Sequence, residues 1–200
     1  MDSKTANTGH PVHELIRKRW SPRSISSRPV EREKLLSLLE AARWAPSSFN
    51  EQSWRYIVAT KENPSALEAA QSVLNENNSW AKAAPVLICS VGKKAFTRND
   101  KPNFHWMHDV GAATENMLLE AFNQGLVMHE MAGFSHEKAV EVFRIPEGFE
   151  PVAMIAVGYQ DIPEKLKENE KWHASEIAER KRKPLNEIAF ENEFGTPVSE

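Results

Sequence analysis

The first stretch with side chains suited to binding chemistry is a short basic run that contains a serine and a proline. It reads Arg-Lys-Arg-Trp-Ser-Pro-Arg-Ser-Ile over residues 17–25 and follows a short amphipathic segment. Because Pro22 prevents a helix from continuing, we expect a helix end that releases into an extended segment. Guanidinium groups and a hydroxyl suit a phosphate dianion. The run therefore indicates an anion site, although a solvated basic patch has the same composition.

A second basic cluster lies near the C-terminus. Arg180 and Arg182 stand two residues apart, and in an extended segment this spacing places both side chains on one face. Together with Arg19, Ser21 and Arg23 they would hold one phosphate group. Alone, the second cluster is also typical of a solvated charged run or of a patch that resembles a nuclear-import signal.

Between the two clusters lies a loop rich in hydroxyl and amide groups, which we call the amide loop (residues 46–54). It carries Ser47, Ser48, Asn50 and Gln52. Such groups match a neutral polar heterocycle or a ribityl chain, although they also solvate loops and end helices. Later in the chain, Gly133 would let the backbone approach a planar ligand, or would simply turn a strand into a helix.

The remaining reactive side chains give weaker signals. His105 and His108 are three residues apart in a predicted helix and could share a metal ion, but no acidic or cysteine ligand follows at a matched spacing. We therefore predict no metal site. Cys89 is the only cysteine and lies in an apolar run, so it is expected to be a core residue.

The composition fits one ordinary globular domain. Hydrophobic residues make up 40% of the 200 positions, and the net charge of −3 argues against a broad nucleic-acid surface. No apolar run suggests a signal sequence or a membrane span, so we expect a cytoplasmic protein without membrane contact. Residues 1–9 are polar and predicted to be disordered, and residues 10–200 are predicted to form the domain.

Helical and strand-like patterns alternate along the chain, as in an α/β or α+β sandwich. Helices are predicted over about 12–19, 31–44, 63–74 and 104–124, with shorter helical pieces at 80–84 and after Ser135. Strands are predicted over 54–60, 86–91, 126–131 and 152–157, and residues 93–103 are predicted to form a loop.

Two features indicate a second subunit. The longest predicted helix contains a run of small residues at 111–114, which is costly unless another helix approaches closely. From about residue 163 the chain is too charged to form its own core. We expect this C-terminal arm (about 163–200) to lie on a partner subunit, with Trp172 as its anchor or at the cofactor entrance.

Five motifs in this order resemble the FMN-dependent nitroreductase family over nearly the whole chain, from about residue 12 to residue 195. They are the segments Arg19–Ile25, Pro46–Trp54, Asp109–Leu119, His129–Phe134 and Arg180–Leu185. Each motif is weak alone, but their order makes the resemblance specific.

The resemblance implies an NAD(P)H-dependent FMN oxidoreductase with an α+β, three-layer α/β/α sandwich fold. Its central sheet would be mostly antiparallel and flanked by helices. The protein would be an intertwined homodimer with two FMN sites at the interface, each built from both subunits.

The resemblance also implies roles for individual residues in each FMN site. The phosphate would be held by Arg19, Ser21, Arg23, Arg180 and Arg182, and Trp20 would be a further cofactor-binding residue. The other subunit would supply Ser47, Ser48, Asn50 and Gln52. Asn78 and the backbone of Met131, Ala132 and Gly133 would lie near the flavin ring.

The implied reaction transfers a hydride from NADH or NADPH to the flavin and then to a nitroaromatic, quinone or related acceptor, in ping-pong order. No side chain is assigned as a general acid or base. The alternatives are a specialised family reaction, namely reductive dehalogenation or flavin breakdown, and a non-catalytic dimer that binds an anion or flavin.

Three departures from the family pattern lead to further expectations. Ser53 stands where proline is common, which would loosen the amide loop. Trp20 stands where a basic residue is usual, which would remove one phosphate charge. An insertion over the substrate is missing, so we expect an open pocket bounded by Phe104 and Trp106.

Overall fold

The computed structural model describes residues 4–199. The helices are α1 (Glu14–Lys18), α2 (Arg32–Arg43), α3 (Pro64–Ser72), α4 (Trp106–Asn123), α5 (His136–Phe143) and α6 (Glu170–Ile177). The strands are β1 (Trp54–Thr60), β2 (Val86–Lys93), β3 (Val127–Met131) and β4 (Phe149–Gly158). Short 3-10 segments cover Ser48–Asn50, Glu76–Ala83, Pro163–Leu166 and Leu185–Glu187.

These elements begin where local chemistry favours them. The side chain of Asn63 accepts a hydrogen bond from the Ala66 amide, and Pro64 is the first residue of α3. Ser135 caps α5 in the same way. The predicted helices and strands are therefore confirmed, except that the piece predicted at 80–84 is a 3-10 segment that begins at Glu76.

The four strands form one antiparallel sheet in the order β1-β2-β4-β3. Alternate residues of the central strands point to opposite faces. Ile88 and Ile155 belong to a core cluster with α2 and α4. Leu87 and Met154 belong to a second cluster with α3, α5 and the 3-10 segment before β2. The fold is thus the predicted three-layer α+β sandwich.

The N-terminal segment differs from the disorder predicted for residues 1–9. Lys4 is buried, and its Nζ donates to the Ala178 carbonyl. The Ala6 amide donates to the Arg17 carbonyl at 2.9 Å. These contacts fix the segment because each satisfies a polar group near a helix end. The prediction for residues 1–3 lies outside the described residues.

The C-terminal arm is divided into two parts that behave differently. Its first part packs on this chain, because Leu166 is buried in the core and Trp172 packs against the same cluster. Trp172 therefore packs on its own subunit, and a contact of Trp172 with a partner stays a prediction. From Ala178 onward the arm is largely exposed, and Phe194 is 93% exposed. We call this second part the tail (178–199).

Within residues 4–199, no helix is long and apolar enough to cross a membrane.

Candidate functional site

The two basic clusters meet in one cavity, which we call the anion cavity. Its volume is about 280 Å³, and one wall comes from the extended segment after α1 and the other from the end of α6. The lining residues are Lys4, Arg19, Trp20, Ser21, Arg23, Ser175, Glu176, Ala178, Glu179, Arg180 and Arg182. The five predicted phosphate residues and Trp20 are therefore brought together within one chain.

The segment that carries the first cluster is clamped by a buried carboxylate. Glu176 of α6 is only 1% exposed. Its two oxygens accept hydrogen bonds from the backbone amides of Arg23, at 2.8 Å, and Ser24, at 3.1 Å. Arg23 also donates from Nη1 to Ser175 Oγ at 2.9 Å. Charge-assisted hydrogen bonds are stronger than neutral ones. Glu176 therefore fixes the backbone of the basic segment to α6, while the Arg19 side chain lines the cavity.

The far end of the same segment is anchored on the sheet. The Ser26 amide donates to the Tyr159 carbonyl at 2.8 Å, and Ile25 bridges Gln160 beyond β4. Ile25 fits because Gly158 has no side chain, and a Cβ there would lie 2.6 Å from Ile25 Cγ2. The basic segment is thus fixed at both ends.

A histidine on β3 supports the middle of the segment. The ring nitrogen Nδ1 of His129 lies 3.0 Å from the Pro22 carbonyl, and its ring centroid lies 4.6 Å from that of Trp80. Burial lowers the pKa of His129 to about 4, with Arg23 adding repulsion against a second positive charge. The neutral imidazole therefore donates from Nδ1 to Pro22.

The anion cavity carries an excess of positive charge. Five cationic side chains and two carboxylates line it, which leaves an excess of three positive charges. Burial lowers the pKa of Arg180, and repulsion from Arg19 and Arg182 lowers it further. Arg19 also has a distant ionic contact, 3.7 Å from Nε to Glu115 Oε1. A bound dianion would relieve this repulsion, so the donor set fits a phosphate group.

Polar groups of the amide loop form hydrogen bonds within the loop and to nearby residues of the same chain. The Ser48 amide donates to the buried Asp109 carboxylate at 3.0 Å, and the Gln52 amide donates to Ser47 Oγ at 3.0 Å. Asn50 and Gln52 have positive φ values of 55° and 54°, and Phe49, which directly precedes Asn50, has a positive φ as well. These conformations are uncommon for residues other than glycine, and strain of this kind is concentrated at binding sites.

The prediction that Ser53 loosens the amide loop is wrong. Ser53 is fully buried, and its Oγ accepts a hydrogen bond from the side-chain amide of Asn103 at 3.1 Å. The Asn103 Oδ1 accepts in turn from the His105 amide. The hydroxyl therefore ties the amide loop to the loop before α4, which a proline could not do.

Asn78 and Gly133, which are both expected near the flavin ring, are neighbours in the structure. The Gly133 carbonyl accepts from Asn78 Nδ2 at 2.9 Å and from the Asn75 amide at 3.1 Å. A Cβ at Gly133 would lie 2.7 Å from Asn78 Nδ2, so the close approach that requires a glycine is made by this side chain. The Met131 side chain is in the core, so only its backbone can face a ligand beside the exposed Ala132.

A larger cavity adjoins the anion cavity at Arg23. It measures about 530 Å³ and lies between the first part of the C-terminal arm and the 3-10 segment before β2. Both Trp80 and Trp172 line it, and a place for Trp172 at the cofactor entrance stays a prediction. Sequence patterns did not indicate this cavity, because its walls are about 90 residues apart in the chain.

The weaker candidates can be placed as well. His105 precedes α4 as its N-cap residue, so it does not share a helical face with His108 as the spacing suggested. Among residues 4–199 no group of three or more potential ligands could hold a metal ion. Cys89 is buried in β2, and burial raises the pKa of its thiol to about 12. Phe104 lies just before α4 and is exposed, and Trp106 packs on Gly92.

Comparisons with known proteins agree with the resemblance. A sequence profile described as the nitroreductase family matches residues 16–159. A protein of Methanothermobacter thermautotrophicus, provisionally named NADH dehydrogenase/NAD(P)H nitroreductase, is 32% identical over 152 residues. That alignment covers 74% of this chain and 76% of the relative.

Solved structures share the fold along most of the chain. A crystal structure of an oxidoreductase containing FMN is 33% identical, with a TM-score of 0.89 over 95% of this chain and 96% of that one. A nitroreductase family protein from Clostridium difficile 630 is 26% identical, with a TM-score of 0.69 over 90% of this chain and 97% of that one.

Proposed function

Because this chain belongs to the nitroreductase family, we propose that it binds FMN and uses NADH or NADPH to reduce nitroaromatic, quinone or related acceptors in ping-pong order. The observation that carries this proposal is the anion cavity, where two basic clusters about 160 residues apart converge. An excess of positive charge in a concave site is what a phosphate group requires.

The chain's own residues would bind and orient the cofactor. Arg19, Ser21, Arg23, Arg180 and Arg182 would hold the phosphate of FMN, and Trp20 would form part of the same wall. When bound, FMN supplies the ring that accepts and passes on the hydride. The Ala132–Gly133 backbone and Asn78 would lie near this ring, where backbone donors favour a reduced, negatively charged flavin.

We propose that each site is shared by two subunits. The face of α4 around Gly111 has open space beside it, since a Cβ there would meet no atom within 4 Å, and Met107 on this face is 54% exposed. The tail carries exposed apolar residues, including Ile188 and Phe194. Covering these surfaces with a second copy would bring the partner's amide loop, with Ser47, Ser48, Asn50 and Gln52, to the flavin.

No group in the site is needed as a general acid or base in this account. The protein would position nicotinamide and acceptor in turn against the same flavin face, which is the physical basis of the proposed ping-pong order. His129 is neutral and engaged with Pro22, so it supports the site without exchanging protons with a substrate.

The test begins with the visible spectrum of the purified protein, followed by NADPH without oxygen. We expect flavin absorption, release of FMN on heating, and bleaching by the nicotinamide. A coloured protein that NADPH and NADH do not bleach would favour the non-catalytic flavin-binding alternative. A colourless protein that does not take up added FMN would contradict the proposal.

A further inference from the structure

We propose that Lys4 is an additional phosphate-binding residue, supplied by the N-terminal segment to the anion cavity. This inference rests on the proposed function, because it assigns a new contact to the same cofactor. It extends the site by a residue that lies 13 positions before the basic run at 17–25.

The geometry places the Lys4 ammonium inside the basic cluster. Lys4 lines the anion cavity and is only 8% exposed. Its Nζ lies 4.6 Å from the centroid of the Trp20 ring and donates to the Ala178 carbonyl. It therefore lies between the two walls of the cavity, one from each end of the chain.

The backbone around Lys4 connects the same two walls. Arg180 donates from Nη1 to the Lys4 carbonyl and to the Arg17 carbonyl, each at 2.8 Å. The Ala6 amide donates to the same Arg17 carbonyl at 2.9 Å. These contacts hold residues 4–6 across the cavity as a short strap, so that Lys4 is positioned before any ligand binds.

The electrostatics of this position call for an anion. Burial lowers the pKa of Lys4, attraction to Glu176 opposes that change, and repulsion from Arg180 adds to it. An ammonium that is desolvated beside the Arg180 guanidinium is costly. Since both carboxylate oxygens of Glu176 already accept backbone amides, a phosphate oxygen is the natural additional partner for the ammonium.

The competing role is a purely structural one, in which Lys4 only fastens the N-terminus to Ala178. The two roles predict different responses to the phosphate of the ligand. If Lys4 only fastens the N-terminus, loss of its ammonium should weaken FMN and riboflavin binding alike. If Lys4 contacts the phosphate, its loss should weaken FMN binding and leave the binding of riboflavin, which lacks the phosphate, unchanged.

The experiment compares FMN and riboflavin binding, measured by quenching of flavin fluorescence, in full-length protein freed of cofactor. Lys4→Met should weaken FMN binding by about tenfold or more while leaving riboflavin binding unchanged. Lys4→Arg should retain most of the FMN affinity. Lys181→Met is the matched control, since Lys181 is an exposed cation between Arg180 and Arg182 that does not line the cavity.

Equal losses for both flavins, or unchanged FMN binding in Lys4→Met, would overturn the assignment of Lys4. Wild-type protein that binds neither flavin would instead overturn the proposed function. The assignment of Lys4 would then be decided with inorganic phosphate, which wild-type protein should bind more tightly than Lys4→Met. Equal phosphate binding by the two proteins would overturn it.

Discussion

The anion cavity and the amide loop are held in place by opposite means. The cavity is assembled from the two ends of the chain, and the hydrogen bonds from Arg23 and Ser24 to Glu176 span about 150 residues. The amide loop is fixed by its neighbours in the sandwich, as when Ser48 donates to Asp109 and Asn103 donates to Ser53. One region is preorganised by the C-terminal arm, and the other by the loops around α4.

This difference separates what one subunit can do from what two subunits would do together. The anion cavity has its cations, its clamp and its strap within a single chain. The amide loop lies elsewhere, with its backbone in strained conformations at Asn50 and Gln52 and with no described hydrogen bond to the basic clusters. A phosphate could thus be bound by one protomer, whereas the contacts that the amide loop would make to the flavin require the partner.

The largest expected effect is the loss of the clamp. Glu176→Ala leaves two backbone amides without their acceptor, so we expect the free energy of unfolding to fall by roughly 4 kcal/mol. Urea denaturation measures this change. Glu179→Ala is the control, because Glu179 lines the same cavity but is exposed. Equal stability of the two variants would show that α6 does not hold the basic segment.

The support from His129 predicts a pH dependence. The pKa of His129 is lowered from 6.5 to about 4 in the folded protein, so the unfolded chain binds more protons between these values. Stability is therefore lost as the pH falls from 6.5 towards 4, by roughly 3 kcal/mol for this group. In His129→Asn, which keeps a donor for Pro22, that part of the acid sensitivity should disappear. Identical pH profiles of unfolding would refute the prediction.

The cations of the anion cavity should contribute unequally to FMN binding. Arg19→Ala should weaken FMN binding by roughly 10- to 100-fold, because it removes a partly buried charge-assisted contact. Arg182 is exposed, so Arg182→Ala should have a smaller effect. Arg43→Ala on α2 is the control, since Arg43 contacts Glu40 instead. Unchanged FMN titrations in both cavity variants would rule out the phosphate assignment.

The smallest effect is expected in the amide loop. Ser53→Ala leaves the buried Asn103 amide without its acceptor, so we expect a loss of stability of about 1–2 kcal/mol. The preference for FMN over riboflavin should not change, because Ser53 is outside the anion cavity. Thermal unfolding and flavin titration together measure this. A changed preference would mean that the two regions are not independent.

The sequence predicted the elements better than their long-range partners. Periodic apolar positions and caps such as Asn63 and Ser135 depend on nearby residues, so the helices and strands, and then the family, could be found. The role of Ser53 could not be found, because its partner Asn103 is 50 positions away. The clamp by Glu176 and the burial of Lys4 were missed for the same reason.

The predictions for the site residues also differ in how far sequence alone could take them. Both basic clusters carry arginines suited to one phosphate group, so the sequence predicted that they lie together, and in the structure they line one cavity. The Lys4 ammonium lies over the ring of Trp20, so under our proposal Lys4 would supply the charge that Trp20 lacks. The FMN contacts, the dimer, the hydride acceptor and the cytoplasmic location stay predictions.

The most direct test of the shared site is a mixed dimer. Arg19→Ala damages the anion cavity, and Ser48→Ala with Asn50→Gly removes two side chains of the amide loop while permitting its positive φ. The two proteins are co-expressed with different tags, and the mixed dimer is purified and titrated with FMN. We predict weak binding by each parent and one intact site in the mixed dimer. A mixed dimer that binds FMN as weakly as its parents would contradict a site built from both subunits.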